Sequence, residues 1–203
     1  MNTKRFLATA LPKSGLQLTL LSLGLILTLS SGCTQDVVHQ RSMAELNQKA
    51  QSMMQSGDYE GAVSRLEAAH DLEPNEPNTT YNLAIAYQTK GDFDKAIAIF
   101  NQLLEKPGPD GSPMSAPEIH KAMAITLEAQ ADKLDADAKA AEDAPKGDKS
   151  KAEALSHQAN LTLQQALMHY QKALPGLKNH TEVSNQIQAI ETKLKKASAT
   201  TQP

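Results

Sequence analysis

The strongest constraint on this chain is that part of it repeats itself at an offset of 34 residues. Ala50 returns as Ala84, Gly57 as Gly91, Asp58 as Asp92 and Ala62 as Ala96. The apolar positions return in kind: Met53 is answered by Tyr87, Tyr59 by Phe93, Val63 by Ile97 and Leu66 by Phe100. A fixed period of this length means stacked supersecondary units, each too small to bury its apolar face alone. The unit reads as a helix, a Gly-Asp-aromatic turn and a second helix. Glycine is required where the first helix closes in a left-handed conformation, which a residue without Cβ adopts at no steric cost. The aspartate after it is a strong N-cap for the second helix. Small Ala50 with Ala62, and Ala84 with Ala96, let the two helices of one unit approach closely. Pro74 and Pro107 end the second helices, since proline lacks the N–H that a helix interior needs. Ser42-Met43-Ala44-Glu45 has the spacing of a capping box at the start of the first unit.

In these residues the unit resembles the tetratricopeptide repeat. The resemblance covers two repeats, 43–76 and 77–110. It implies an α-solenoid of antiparallel helix hairpins, with a concave groove lined by the first helix of each unit. By helical phase that face carries Asn47, Gln51, Met54 and Gln55, then Asn78, Tyr81, Asn82, Ile85, Gln88 and Thr89. The amide side chains suit the backbone of an extended peptide, and Tyr81, Met54 and Ile85 offer apolar anchors. Some members of the family clamp a peptide's terminal carboxylate with Lys and Asn. Asn82 matches one clamp position, but Asn47 and Gln51 stand where that pattern has Lys and Asn, so a carboxylate clamp is not expected.

Past the repeats, Lys106 to Ser115 holds Pro107, Gly108, Pro109, Gly111 and Pro113. Ser115-Ala116-Pro117-Glu118 then has the form of a second capping box with proline in the first turn. The helix it opens has the stripe Ile119, Met123, Leu127, Leu134, Ala138 and Ala141. A break with Pro145 and Gly147 follows, and a return helix from about residue 151 carries Leu155, Ala159, Leu163, Ala166, Tyr170 and Ala173. Residues 111–178 therefore read as an elongated third hairpin. Its tip, 129–144, is rich in Ala and Asp and reads as a solvated helix that partly frays. In 179–203, Thr181 is expected to cap a last helix with Val183, Ile187, Ile190 and Leu194 on one face, followed by a disordered tail. Such a helix seals the exposed end of a solenoid. The fold class expected is all-α, a short tetratricopeptide-like solenoid with an elongated third hairpin and a C-terminal capping helix.

Residues 1–32 read as an export signal. Lys4, Arg5 and Lys13 precede an uncharged, leucine-rich run that ends at Leu29-Ser30-Ser31-Gly32-Cys33. This junction resembles the bacterial lipoprotein box, although Ser30 stands where leucine is commonest and Leu29 lies one residue further back. The resemblance implies that Cys33 is lipidated after cleavage and that 33–42 form a tether. A single membrane-spanning anchor and an ordinary signal peptide leaving a free thiol are the other readings. All three put the body outside the cytoplasm, and Thr34 leans toward the periplasmic face of the outer membrane.

Chemistry is conspicuous by its scarcity. Cys33 is the only cysteine, which excludes an internal disulfide and a multi-cysteine metal site. His39, His70, His120, His157, His169 and His180 show no metal-binding spacing, and each reads as a solvated helix residue. No glycine-rich loop has the strand before it and the Lys-Ser/Thr after it that phosphate binding requires. Losing Lys4, Arg5 and Lys13 takes the formal charge from −3 to −6, and the imbalance lies within 43–110. Nucleic acid is repelled by such a body. The sequence thus predicts a membrane-anchored, non-catalytic adaptor for a protein or peptide in envelope assembly, of the pilus/secretin or outer-membrane type, with no cofactor or metal. The alternative is an envelope enzyme or solute-binding protein with its site between the third hairpin and the repeats.

Overall fold

The structure is a computed structural model in which residues 42–200 are described. The signal segment, Cys33 and residues 201–203 lie outside the described residues. Residues 42–55 are helical (α1). There follow α2 (Tyr59–Leu72), α3 (Pro77–Lys90), α4 (Phe93–Glu105), α5 (Ala116–Asp143), α6 (Lys149–Ala173), a 3₁₀ turn Leu174–Gly176 and α7 (Thr181–Thr200). Successive helices pack on one another, as in a tetratricopeptide-like solenoid, and among the described residues there is no strand.

The two Gly-Asp turns close alike. Gly57 and Gly91 have φ of 84° and 91°, the left-handed region that favours glycine. In each turn the following Asp N–H reaches back five residues, Asp58 to the Met53 carbonyl and Asp92 to that of Tyr87, both at 2.9 Å. These 6→1 bonds satisfy carbonyls that the helix end leaves without partners. The second helices then start differently. Asp58 Oδ1 accepts from Gly61 N–H at 2.9 Å, the N-cap bond the sequence predicts. Asp92 makes no such bond, and its carboxylate instead pairs with Lys90 at 3.1 Å. Gly61 offers a physical reason. A Cβ there would collide with the Asp58 carboxylate, and the equivalent position of the second unit is Lys95.

Ala50, Ala62, Ala84 and Ala96 are all buried to within 1%, so the close helix contacts sit where the repeat predicts them. With Val63, Leu66, Leu83, Tyr87 and Phe100 they form one core, which also takes in Ile119 and Met123 from α5. That α5 packs on α4 shows how the third hairpin continues the stack. Glu76, not foreseen as a cap, precedes Pro77 and accepts from Thr79 N–H.

The third hairpin has a seam of its own. Ala124, Ala131 and Ala138 on α5, and Ala152, Ala159, Ala166 and Ala173 on α6, recur at every seventh position and are all buried. A seven-residue step keeps one face of each helix on its neighbour over many turns, and alanine at that seam draws the axes together. The tip expected as a solvated helix is one: α5 runs unbroken to Asp143 with most of residues 132–143 exposed, although Ala131 is fully buried and Ala138 only 4% exposed. Ser115 occupies the N-cap position of α5 but makes no side-chain cap bond.

The turn into α6 is held by Asp148, whose N–H donates to the Ala141 carbonyl and whose Oδ1 accepts from Lys151 N–H, each at 3.0 Å. On α7, Val183 and Ile190 are buried and join the hairpin core. Thr181 is already the first residue of that helix, and its N–H is served by Asn179 Oδ1 at 3.3 Å.

Candidate partner-binding site

Helices α1 and α3 stand side by side as the first helices of their units, and a cavity of about 400 Å³ opens between them. Five of the ten residues predicted for the groove line it: Asn47, Gln51, Met54, Asn82 and Ile85. Gln48, Ala50 and Leu66 complete the lining. Met54 and Ile85, both half-buried, face the cavity as apolar contacts above a floor made by Ala50 and Leu66.

The other five predicted residues lie elsewhere. Tyr81 packs edge-to-face on Phe100, with ring centroids 5.9 Å apart at 65°. Burial, and then the nearby Glu118 carboxylate on α5, raise its phenol above the ordinary value. The Asn78 amide donates to Glu76 at the start of α3, at 2.8 Å. Thr89 returns its hydroxyl to the Ile85 carbonyl of its own helix. Gln55 is exposed outside the lining, and the Gln88 side-chain oxygen is buried without a hydrogen-bond partner.

Not every amide in the cavity is available to a ligand. Asn47 Nδ2 donates to Thr79 Oγ1 at 2.9 Å, and Asn47 Oδ1 accepts from Asn82 Nδ2 at 3.2 Å. Asn47 is thus a tie between α1 and α3 before it is a contact for anything else. The exposed amides Gln48 and Gln51 are the groups that face incoming material.

Charge is organised around the repeat junction. Lys90 Nζ reaches Glu60 at 2.9 Å and Asp92 at 3.1 Å, bridging the end of α3 to the starts of α2 and α4. Lys95 lies over the Tyr87 ring at 4.8 Å, a cation–π placement. Tyr87 donates its hydroxyl to Glu67, and burial together with that carboxylate raises its pKa to about 12.

A second cavity, of about 530 Å³, lies between the α3–α4 turn and α5. Its lining includes Asp92, Asp94, Lys95, Gln130, Lys133 and Asp137. Two of these carboxylates are engaged, Asp92 with Lys90 and Asp94 with the Gln130 amide at 2.9 Å.

Sequence reasoning missed one cluster outright. His120 on α5 and His169 on α6, read as separate solvated residues, face each other with Nδ1 atoms 3.0 Å apart. Both rings are half-buried. Burial, then the charge of Lys172, lowers the His120 pKa. Burial, then His120 and Lys172, brings His169 down to about 4. His70 is also engaged, with Nδ1 3.2 Å from Thr80 Oγ1. Because the Thr80 hydroxyl donates to the Glu76 carbonyl at 2.8 Å, the His70 nitrogen is the donor in that pair.

Paired helices, left-handed glycines at the turns, alanines at the close contacts and a groove between first helices occur together in one segment. Residues 53–116 match the tetratricopeptide repeat. The match takes in most of both repeats and both Gly-Asp turns, and ends at Ala116, the first residue of α5. Tetratricopeptide repeats are protein-interaction modules. Among curated proteins, none matches the chain. Among the described residues no helix is long and apolar enough to cross a membrane, and no three His, Cys, Asp or Glu side chains are grouped to hold a metal.

Proposed function

We propose that the chain is a membrane-anchored, non-catalytic adaptor whose tetratricopeptide repeats hold a protein or peptide partner during envelope assembly. The observation that carries this reading is the cavity between α1 and α3, where apolar Met54 and Ile85 stand beside the exposed amides Gln48 and Gln51. An extended segment laid there pairs its backbone with the amides and seats a side chain between Met54 and Ile85. Apolar anchors in such pockets supply most of the binding energy, while surrounding polar contacts set orientation. The acidic repeats favour a basic or neutral partner, and steering of that kind acts mainly on the association rate. Lipidation at Cys33 supplies the anchor on this reading, with the body at the periplasmic face of the outer membrane.

The double variant Met54→Ala with Ile85→Ala tests the site. Cross-linking and pull-down from envelope membranes should lose partners relative to wild type, with helicity preserved by circular dichroism. A partner set that is unchanged while the protein remains folded moves the site away from this cavity. Cys33→Ser tests the anchor independently: labelled palmitate incorporation should disappear, and its persistence refutes lipidation at that residue.

The alternative, an envelope enzyme or solute-binding protein, has the second cavity in the place it requires. Its case is weaker because Asp92 and Asp94 are committed to Lys90 and Gln130 instead of converging on a common point.

A further inference from the structure

The His120–His169 pair is not used by the adaptor reading, and it lies away from the cavity between α1 and α3. The two residues come from different helices of the elongated hairpin, 49 positions apart in sequence. The buried alanine seam between α5 and α6 fixes the register that brings them together. The rings are tilted by 56° with centroids 5.1 Å apart, and their Nδ1 atoms converge to 3.0 Å.

That separation is the length of a hydrogen bond between the two rings, and it also lies within the range that a chelated cation requires. Imidazole nitrogens bind first-row dications at about 2.0–2.1 Å, so two of them lie about 3.3 Å apart in a tetrahedral shell and about 2.9 Å apart when cis at a right angle. The observed distance falls near the second value. Tetragonal sites with nitrogen and oxygen ligands are characteristic of Cu²⁺ and Ni²⁺, and Cu²⁺ binds most tightly in the first-row order.

We propose that His120 and His169 form a two-histidine site for a tetragonal divalent cation, Cu²⁺ first and Ni²⁺ second, bound through both Nδ1 atoms with solvent completing the shell. In the metal-free pair a proton on one Nδ1 is shared with the other. Metal binding moves that proton to Nε2 of the same ring, leaving each neutral ring with one N–H and both Nδ1 lone pairs on the metal. No redox change is involved. Lys172, whose charge acts on both rings, opposes a cation, but its side chain is solvent-exposed and the repulsion is screened. The metal would staple α5 to α6 near the base of the hairpin.

The test is a titration of the purified full chain, in detergent, with Cu²⁺ alone, followed by electron paramagnetic resonance. Wild type should show one population with hyperfine splitting from two imidazole nitrogens. That signal should vanish in His120→Ala and in His169→Ala, and persist in His157→Ala, whose imidazole is exposed elsewhere on α6. His120→Gln and His169→Gln repeat the test with polar side chains retained, and circular dichroism verifies that each variant is folded. A two-nitrogen signal unchanged in folded His120 or His169 variants overturns the proposal, as does a wild type without such a signal. Partner capture by the repeats is not measured here, so failure of this site leaves the adaptor reading standing.

Discussion

The two repeats and the elongated hairpin are built on the same topology, two antiparallel helices and a turn, yet they solve the packing problem differently. Helices α2, α3 and α4 have 14, 14 and 13 residues, whereas α5 and α6 have 28 and 25. In the repeats the alanines that return with the period, Ala50, Ala62, Ala84 and Ala96, make the close contacts, and large side chains such as Leu66, Tyr87 and Phe100 fill the space between units. In the hairpin alanine recurs every seventh residue, so closeness itself is the interaction, repeated turn after turn. A repeat helix need last only until its large residues are covered by the next unit. The hairpin beyond the stack has few neighbours to cover large residues, and small side chains let it remain paired at greater length.

Removing a large side chain from the repeat core should have the largest effect. Phe100 is fully buried and meets the edge of Tyr81. Phe100→Ala is expected to cost about 3–5 kcal/mol, the usual range for deleting a buried aromatic. Urea denaturation followed by circular dichroism measures it. A loss below about 1 kcal/mol is incompatible with Phe100 as the side chain that fills the space between units.

The hairpin should fail by the opposite change. Ala159 is fully buried in the seam, and Ala159→Leu is expected to cost about 1–3 kcal/mol by forcing the helices apart. Hydrogen exchange should show faster opening of α5 and α6 amides, with α2 and α3 keeping their protection. Leu161→Ala, on an exposed face of the same helix, should change little. Equal shifts for the two substitutions count against the alanine seam.

These differences show what can be read from the chain. The Gly-Asp turns and the alanine contacts were legible because each conformational need admits very few residue types, and the period displays them twice. The seam was legible only in part: the stripes already held Ala138, Ala159, Ala166 and Ala173, but did not display its heptad. Alanine is common throughout this chain, and a stripe drawn through the larger residues passes over Ala124, Ala131 and Ala152. The expectation that 129–144 partly frays rested on that omission. The groove was half legible: phase placed Met54 and Ile85 at the cavity between α1 and α3, but Tyr81, on the same helix as Ile85, turns toward Phe100. The bonds that commit Asn47, and the meeting of His120 with His169, depend on how separate helices align, and no local pattern carries that.

The smallest effect separates the two repeats from each other. Asp58 caps its helix while Asp92 does not. Asp58→Ala should therefore cost about 1 kcal/mol, the typical loss of an N-cap, and Asp92→Ala should cost less. The cap in turn needs Gly61, because a Cβ at that position meets the Asp58 carboxylate. Gly61→Ala replaces a poor helix former with the best one, a gain of at most about 0.8–1.0 kcal/mol, the helix-interior value, because position 61 lies in the first turn of α2. It also displaces the capping carboxylate, so gain and loss nearly cancel in the wild-type background. With Asp58→Ala already present there is no cap to lose, and Gly61→Ala should then stabilise by close to its full propensity gain. A double-mutant cycle by thermal denaturation measures the difference as a coupling of about 1 kcal/mol between positions 58 and 61. Additive effects would mean that Asp58 accommodates a Cβ by rotating without losing its bond, and the absence of a cap at Asp92 would then need a cause other than Lys95.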